Sequence, residues 1–218
     1  MPNFINLKFF ISCALIALQG CSLTSDSSTV KEFSFTQIGV FEKTGSAESI
    51  TFSSLDDRLV LVGGSNGYIR AYRVDTLEEL WKTKVRSRLS DIAFSPDGSR
   101  AVVVGNRGMI AMIDTTTGEV VQHFEGHAGW IQAAAFSPNG RYIATGSSDS
   151  TVMIWDSENG EDIHLFAEWA GSQVRSLVFS DDDKHLAAAI SEELAVYELK
   201  RFTKVKSIRI NELWVSKM

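Results

Sequence analysis

Residues 125–156 read EGHAGWIQAAAFSPNGRYIATGSSDSTVMIWD. Three short runs rich in apolar residues are separated here by two turn-forming groups, Ser-Pro-Asn-Gly at 137–140 and Ser-Ser-Asp-Ser at 147–150. Proline presets φ, and Gly, Asn and Asp tolerate the backbone angles of tight turns. The stretch therefore predicts three consecutive antiparallel strands, which form a β-meander.

Weaker copies of this pattern recur along the chain, and each is marked by a Phe-Ser pair at the end of its first apolar run. The four phenylalanines are Phe52, Phe94, Phe136 and Phe179, so successive copies lie 42, 42 and 43 residues apart. After each pair come a turn, a basic residue and a short apolar strand. A period of about 40–45 residues with several short strands per unit indicates a four-stranded propeller blade.

These repeats resemble the WD-repeat β-propeller family, and the resemblance covers about residues 33–210. It is strongest in the third unit, the stretch quoted above. The resemblance implies an all-β fold, a β-propeller made of four-stranded antiparallel blades. The four predicted blades span approximately residues 48–84, 90–124, 131–167 and 174–210.

The family resemblance also implies a hydrogen-bonded chain of four side chains inside the third blade. The matching residues are His127, Thr145, Asp149 and Trp155. Such a chain supplies partners to an indole N–H and an imidazole that burial would otherwise leave unsatisfied. A catalytic interpretation of the grouping is disfavoured, because a nucleophile needs an exposed, base-activated position. The four residues are therefore assigned a structural role.

The other units depart from this pattern at the two positions that matter most. In place of the Trp they carry an aromatic or aliphatic residue, namely Tyr72, Ile113 and Tyr197. In place of the Thr they carry an apolar residue, namely Val62, Val103 and Ala188. None of them has the Gly-His pair. The sequence therefore predicts one complete polar chain, with the other blades held together mainly by apolar packing.

The number of repeats leaves the closure of the propeller open. Propellers of this family usually have about seven blades, within the range of ~4–8 known for the architecture. Residues 33–41 alternate apolar and polar as an extra outer strand does. Three interpretations remain: a truncated copy of a longer propeller, two chains that complete one ring, or a small closed ring of four blades. The sequence favours truncation or an open ring, whose unpaired edges would promote self-association.

The first residues predict export and a lipid anchor. An apolar run at 9–18, FFISCALIAL, has the length of a signal-peptide core and is too short for a membrane span. It leads into LQGC at 18–21, which resembles the lipoprotein box of bacteria. The resemblance implies a signal peptide at 1–20, a lipidated Cys21 with a flexible tether at 21–32, and an outer-membrane location facing the periplasm. A plain signal peptide and a core strand are the alternatives.

The net charge and the clustering of polar residues limit the classes of partner and ligand that the chain is expected to bind. The formal net charge of the whole chain is −6, and loss of residues 1–20 would remove one lysine and no acid. This negative charge argues against nucleic acid or an anionic surface as the main partner. The four histidines do not form a metal-ligand set, and residues 181–183 lack the Gly and the closing Glu of a calcium loop. No metal and no cofactor is predicted.

A candidate binding surface lies at one rim, just before the first strand of each blade, where the family resemblance places partner contacts. The residues assigned to it are Arg86, Arg88, Trp130, Trp169 and Gln173. Arg and Trp are enriched at interface hot spots, so the rim is predicted to bind an acidic or extended peptide segment of another envelope protein. The alternative is that the arginines are simply solvated and the Trp packs on its own loop.

Together these features predict a membrane-anchored lipoprotein of the bacterial envelope that acts as a non-catalytic protein-interaction scaffold. Two alternatives remain at this stage. One is an enzyme or ligand sensor that uses the central channel of the propeller, and the other is a truncated, non-functional copy of a longer propeller. Residues 211–218 form a tail with no assignment.

Overall fold

The structure is a computed structural model that describes residues 46–53, 55–56, 58–167 and 171–209. The predicted signal peptide, Cys21, the tether, the strand at 33–41, Trp169 and the tail at 211–218 lie outside these ranges. All regular secondary-structure elements in the described part of the chain are β-strands. That part contains no helix long and apolar enough to cross a membrane.

Sixteen strands form four sheets of four strands each. The strands, in chain order, are β1 Ala47–Phe52, β2 Leu59–Gly64, β3 Tyr68–Arg73, β4 Glu79–Lys84, β5 Leu89–Phe94, β6 Arg100–Gly105, β7 Ile110–Asp114, β8 Val120–Phe124, β9 Ile131–Phe136, β10 Tyr142–Ser147, β11 Val152–Asp156, β12 Asp162–Phe166, β13 Val174–Phe179, β14 His185–Ile190, β15 Glu193–Glu198 and β16 Thr203–Arg209.

Each sheet is a simple meander in which consecutive strands pair antiparallel. We call the four sheets blades 1 to 4 in chain order. Phe52, Phe94, Phe136 and Phe179 each end the first strand of their blade, so the four marks lie at equivalent positions. The fold class predicted from the repeats, an all-β propeller of four-stranded antiparallel blades, is confirmed.

Because side chains alternate across a strand, the central strands of a blade bury residues on both faces. In blade 2, Val102 and Met112 pack toward blade 3, whereas Val103 and Ile113 pack toward blade 1, and all four are fully buried. Three apolar clusters of this kind join blades 1 and 2, blades 2 and 3, and blades 3 and 4. Most of the core therefore lies in the three junctions between neighbouring blades, and a fourth, smaller cluster of Val60, Val62 and Tyr72 is buried on the outward face of blade 1.

The ring is open. Among the described residues, blades 1 and 4 share no apolar cluster. On the first strand of blade 1, Ile50 and Phe52 are 46% and 45% exposed, whereas the equivalent Ile92 and Phe94 of blade 2 are 4% and 8% exposed. The difference arises because blade 1 covers the inner strand of blade 2, and no described blade covers that of blade 1. Closure of four blades into a small ring is thus not what the structure shows.

A glycine sets the spacing at the junction of blades 3 and 4. A Cβ atom added to Gly146 would lie 2.9 Å from the Cβ of Val174 and 3.3 Å from Leu177 Cδ1. Gly63 occupies the same repeat position in blade 1, but there the nearest atom would be Ile92 Cδ1 at 3.0 Å, the end of a flexible side chain. The branched, stiff Val174 leaves the junction of blades 3 and 4 less room to adjust.

We therefore predict that Gly146→Ala destabilises the fold by about 1–3 kcal/mol through overpacking, and that Gly63→Ala costs less. Chemical denaturation followed by Trp fluorescence measures both values. Equal effects of the two substitutions would contradict the proposed role of Val174.

Candidate functional site

Four side chains of blade 3 form a continuous hydrogen-bonded chain. The indole Nε1–H of Trp155 donates to Thr145 Oγ1 at 2.8 Å, and Thr145 Oγ1 lies 2.8 Å from His127 Nε2. On the other side of the ring, His127 Nδ1 lies 2.9 Å from Asp149 Oδ2. These are the residues that the family resemblance singled out, and the structure places them in one network.

The donors and acceptors of this chain are all satisfied if the imidazole is neutral. Thr145 accepts from the indole and donates its O–H to Nε2, and Nδ1–H donates to the Asp149 carboxylate; this tautomer is assigned from the network. Burial lowers the pKa of His127, and the nearby Asp149 carboxylate opposes that effect only in part. The His127–Asp149 contact is therefore a hydrogen bond rather than an ion pair at neutral pH.

Asp149 links the chain to the backbone of the adjoining loop. Its carboxylate accepts from the backbone N–H of Ala128 at 2.9 Å and from Thr151 Oγ1 at 2.6 Å. Partial burial raises the pKa of Asp149, but hydrogen bonds from Thr151 and His127 outweigh it and leave the pKa below its usual value. The carboxylate thus fixes the loop before β9 onto the turn between β10 and β11.

The side chains of this grouping are buried, whereas a catalytic nucleophile needs an exposed, base-activated position. The side chain of His127 is fully buried, as are Thr145 and Trp155. Among the described residues, Nε2 of His127 contacts the hydroxyl of Thr145, which donates to the imidazole and accepts from the indole. The arrangement can hold two strands and a loop together, and it offers no exposed nucleophile.

Replacing the central hydroxyl should be costly. We predict that Thr145→Val, which keeps the shape of the side chain, destabilises the fold by about 1–3 kcal/mol for each buried polar partner left unpaired. Thr116→Val on an exposed turn is the matched control and should change stability by less than about 0.5 kcal/mol. Urea denaturation compares the two variants, and equal effects would argue against the chain as a source of stability.

The neutral imidazole also predicts a pH dependence. The folded-state pKa of His127 is lower than its unfolded value, so the unfolded chain binds an extra proton when the pH falls below about 6.5. The free energy of unfolding should therefore decrease between pH 7.5 and pH 5. His127→Gln should be less stable at pH 7.5 and should lose less stability over this interval. An unchanged pH slope in the variant would rule out this assignment.

The second feature is the rim formed by the segments before each first strand and by the turns between second and third strands. Trp130 is held there by two hydrogen bonds with Ser148: the Trp130 N–H donates to Ser148 Oγ at 2.9 Å, and the Ser148 N–H donates to the Trp130 carbonyl at 2.8 Å. Its side chain is nonetheless 39% exposed. The guanidinium of Arg88 lies 5.8 Å from the indole centroid, a cation–π contact across blades 2 and 3.

The uncompensated charge at this rim comes from a different pair of arginines than the sequence indicated. Arg88 pairs with Glu48 of blade 1 at 2.8 Å, which offsets its positive charge. Arg86 is exposed, and the described part of the chain places no carboxylate in an ion pair with it. Arg107 adds a further exposed guanidinium in the adjacent turn, where Asn106 N–H bonds the carbonyl of Arg88.

Gln173 belongs to the same rim but on blade 4, where its side-chain oxygen accepts from Gln132 Nε2 at 3.0 Å. The structure thus brings Arg88 and Trp130 together and places Gln173 one blade further on. Sequence reasoning missed Glu48 and Arg107. Glu48 could have been found from its position two residues before Ile50 on an inner strand. Arg107 lies in a turn that Gly105 and Gly108 predicted, but the glycines gave no indication that the turn contributes a charge to the rim.

No group of three or more metal-ligating side chains is present in the residues that the structure describes. His164, one of the four histidines considered from the sequence, stacks on Phe202 with ring centroids 4.9 Å apart. In the acidic turn at 181–183, Asp182 accepts from Ser180 Oγ at 2.7 Å and pairs with Lys184. These groups serve packing and turn formation.

Comparison with known families agrees with this architecture. The family "WD domain, G-beta repeat" matches residues 118–156, and the "Anaphase-promoting complex subunit 4 WD40 domain" family matches residues 50–133. Together the two ranges run from blade 1 to the third strand of blade 3. With the four blades of the fold, these matches support assignment of the chain to the WD-repeat β-propeller family.

Individual proteins are also similar to parts of the chain. The chain is 29% identical over 123 residues to small ribosomal subunit protein RACK1 of Neurospora crassa, covering 56% of this chain and 38% of the relative. It is 33% identical over 92 residues to the RACK1 of Schizosaccharomyces pombe, covering 42% and 29%. Human intraflagellar transport protein 122 homolog is 32% identical over 78 residues, covering 36% and 6%. The chain thus spans less than two-fifths of each of these eukaryotic relatives.

Proposed function

We propose that this protein is a non-catalytic scaffold whose rim binds a peptide segment of another protein, and that a lipid on Cys21 anchors it to the bacterial envelope. WD repeats suggest a protein-interaction role, as the matched families are repeat domains of this type. The main support for the binding site is the position of Trp130. Hydrogen bonds with Ser148 fix its backbone N–H and carbonyl, and its indole remains partly exposed beside Arg88.

The chemistry of the rim favours an acidic, extended segment. Arg86 and Arg107 supply positive charge that no described carboxylate offsets, although the chain as a whole is negative. A fixed indole gives apolar contact area at little cost in conformational entropy, because the ring is already ordered. The partner therefore combines carboxylates with at least one apolar side chain that reaches Trp130.

The anchor is supported by the sequence at 9–21 rather than by the fold. An apolar segment of signal-peptide length leads directly into Leu18-Gln-Gly-Cys21. Several acyl chains on one residue give stable attachment where a single chain is marginal. Ser22 after the cysteine favours the outer membrane, with the propeller in the periplasm.

The rim assignment predicts that Trp130→Ala combined with Arg86→Glu reduces recovery of crosslinked partner by at least about tenfold, as expected for loss of a hot spot worth about 2 kcal/mol. Crosslinking in intact cells followed by mass spectrometry measures this recovery. Leu55→Ala combined with Arg58→Glu is the matched control, because it changes an exposed apolar residue and an exposed arginine at the β1–β2 turn. Equal recovery from both double variants would contradict the proposed site.

The anchor predicts a separate outcome. Cys21→Ala should abolish incorporation of labelled palmitate and move the protein from the membrane to the soluble fraction, because no thiol would remain at the lipoprotein box. Cys13→Ala is the control, since that residue lies inside the predicted signal peptide. Membrane recovery that is unchanged in Cys21→Ala would contradict lipid anchoring and would leave the rim assignment untouched.

A further inference from the structure

We propose that the outer strand of blade 4, together with the turn before it, binds the anionic phosphate surface of a phospholipid bilayer. We call this segment, residues 200–209, the basic edge. The observation behind the inference is a reversal of charge at one repeat position: the outer segment of blade 4 is strongly basic, whereas the same segment of the other three blades carries a net negative charge. The inference depends neither on the rim ligand nor on a lipid on Cys21.

The structure aligns the four outer segments residue by residue. Shortly before each outer strand lies one turn residue with positive φ, and these residues are Leu77, Gly118, Gly160 and Phe202. Counted from them, the equivalents of 200–209 are 75–84, 116–125 and 158–167. Those three segments have formal charges of −1, −2 and −3, whereas the basic edge has a formal charge of +5 and no acidic residue. The blade fold itself therefore does not require a basic segment at this position.

The cations of the basic edge are open to solvent. All five are exposed, namely Lys200, Arg201, Lys204, Lys206 and Arg209. Within the part of the chain that the structure describes, neither Lys206 nor Arg209 forms an ion pair. The whole chain has a net charge of −6, but charges more than about 8 Å apart are largely screened at physiological ionic strength. The local positive charge therefore governs what approaches this edge.

The cations lie on both faces of the outer strand. Lys206 pairs in register with Val196, on the face that no described blade covers, whereas Lys204 pairs with the buried Tyr197 on the face toward blade 3. Arg209 shares the face of Lys204. A flat surface can reach both sets only where it meets the outer edge of the blade. Long Lys and Arg side chains can extend from either face to such a surface.

Exposed aliphatic side chains lie among these cations. Ile208 is 52% exposed, whereas Phe124 and Phe166 at the same repeat position of blades 2 and 3 are 3% exposed. Val205 is 53% exposed at the bulge of β16. Segments that lie in the interface of a bilayer combine the same two kinds of side chain, because apolar groups enter the acyl boundary while cations meet the phosphates. The basic edge offers both contacts.

The basic edge is poorly suited to the addition of a further strand or to contact with itself. Lysines and bulges on an edge strand disfavour strand pairing, and β16 has Lys204, Lys206 and a bulge between them. A symmetric contact between two copies would place the basic edge against itself, where like charges repel. A bilayer presents a plane of phosphates and needs no partner strand. Charge complementarity therefore favours the bilayer as the occupant.

Contact with a bilayer through the basic edge leaves the rim accessible. β16 is the last strand in the order β13-β14-β15-β16 and lies at the perimeter of its sheet. The rim is instead formed at the ends of the strands, by the segments before each first strand and the turns between second and third strands. Trp130 and Arg86 would therefore remain open to a protein partner while blade 4 lies on the membrane.

Flotation with vesicles tests the proposal on the full-length chain carrying Cys21→Ala, in which no acyl chain contributes. Binding should require about 30 mol% phosphatidylglycerol in phosphatidylcholine vesicles and should fall as NaCl rises from about 0.05 M to about 0.5 M. Lys206→Gln combined with Arg209→Gln should reduce the partition coefficient at least about tenfold. Arg58→Gln combined with Arg73→Gln, two exposed arginines of blade 1, removes the same charge and should change it less than about twofold.

Three outcomes of this experiment would overturn the proposal. They are absence of binding to the anionic vesicles, equal binding to vesicles with and without phosphatidylglycerol, and equal losses in the two double variants. Absence of vesicle binding together with charge-dependent capture of an acidic protein would assign the basic edge to a protein partner instead. All four substituted side chains are exposed, so the variants are expected to fold.

A fluorescent probe tests which part of the surface touches the lipid. Val205→Cys is labelled with an environment-sensitive dye in a chain that also carries Cys13→Ala and Cys21→Ala. Val121→Cys is the matched control, because Val121 occupies the same bulge position in blade 2 and is 54% exposed. Anionic vesicles should shift the emission to the blue at position 205 and leave it unchanged at position 121. No shift at position 205, or equal shifts at both positions, would rule out the basic edge as the contact.

Discussion

A middle blade of this protein has two apolar faces, and each of them is covered by a neighbouring blade. Val102 and Val103 are adjacent on β6, point to opposite faces and are both fully buried. Burial of apolar surface contributes about 25 cal/mol per Å², so a blade without neighbours would lose this contribution on both sides. The stability of the molecule therefore lies in its junctions, as it does in repeat proteins generally. This requirement also explains why the two end blades differ from the middle ones.

Polar contacts at the junctions add specificity to this apolar packing. Asp91 of blade 2 illustrates the arrangement: its carboxylate accepts from Ser49 of blade 1 at 3.3 Å and from the Ala134 N–H of blade 3 at 3.1 Å. One side chain thus fixes the relative position of three blades near the ring axis. The His127–Thr145–Trp155 chain does the same within blade 3 and its loop. The register of the blades is set by such pairs, because apolar faces alone tolerate small displacements.

The sequence predicted the blades well because each is a local unit: a Phe-Ser mark, a turn with Pro, Gly, Asn or Asp, and alternating strands. The His127 network was accessible for the same reason, since its residues lie within a single repeat. Contacts between repeats were not accessible in this way. Trp81 donates its indole N–H to the carbonyl of Thr115, 34 residues away, and no local pattern marks that pair. Leu77 and Phe202 adopt positive φ where the other blades have glycine. The sequences of these two turns therefore lack the glycine that would have predicted a left-handed residue.

The two end blades differ in the composition and in the burial of their outward faces. At the position where blade 2 has the small Ala111, blade 1 has Arg70, paired with Glu79; beside it, burial raises the pKa of Tyr72 to about 12, with Glu79 adding to the shift. Terminal units of repeat proteins commonly carry such polar substitutions. Blade 4 instead has Ala187, Val196 and the exposed Val178 on its outward face. On the outward face of blade 1, Val60, Val62 and Tyr72 are 2–4% exposed, whereas Ile50 and Phe52 on the inner strand are 46% and 45% exposed. The apolar surface that blade 1 exposes therefore lies on its inner strand, whereas blade 4 exposes Val178 beside the half-buried Ala187 and Val196.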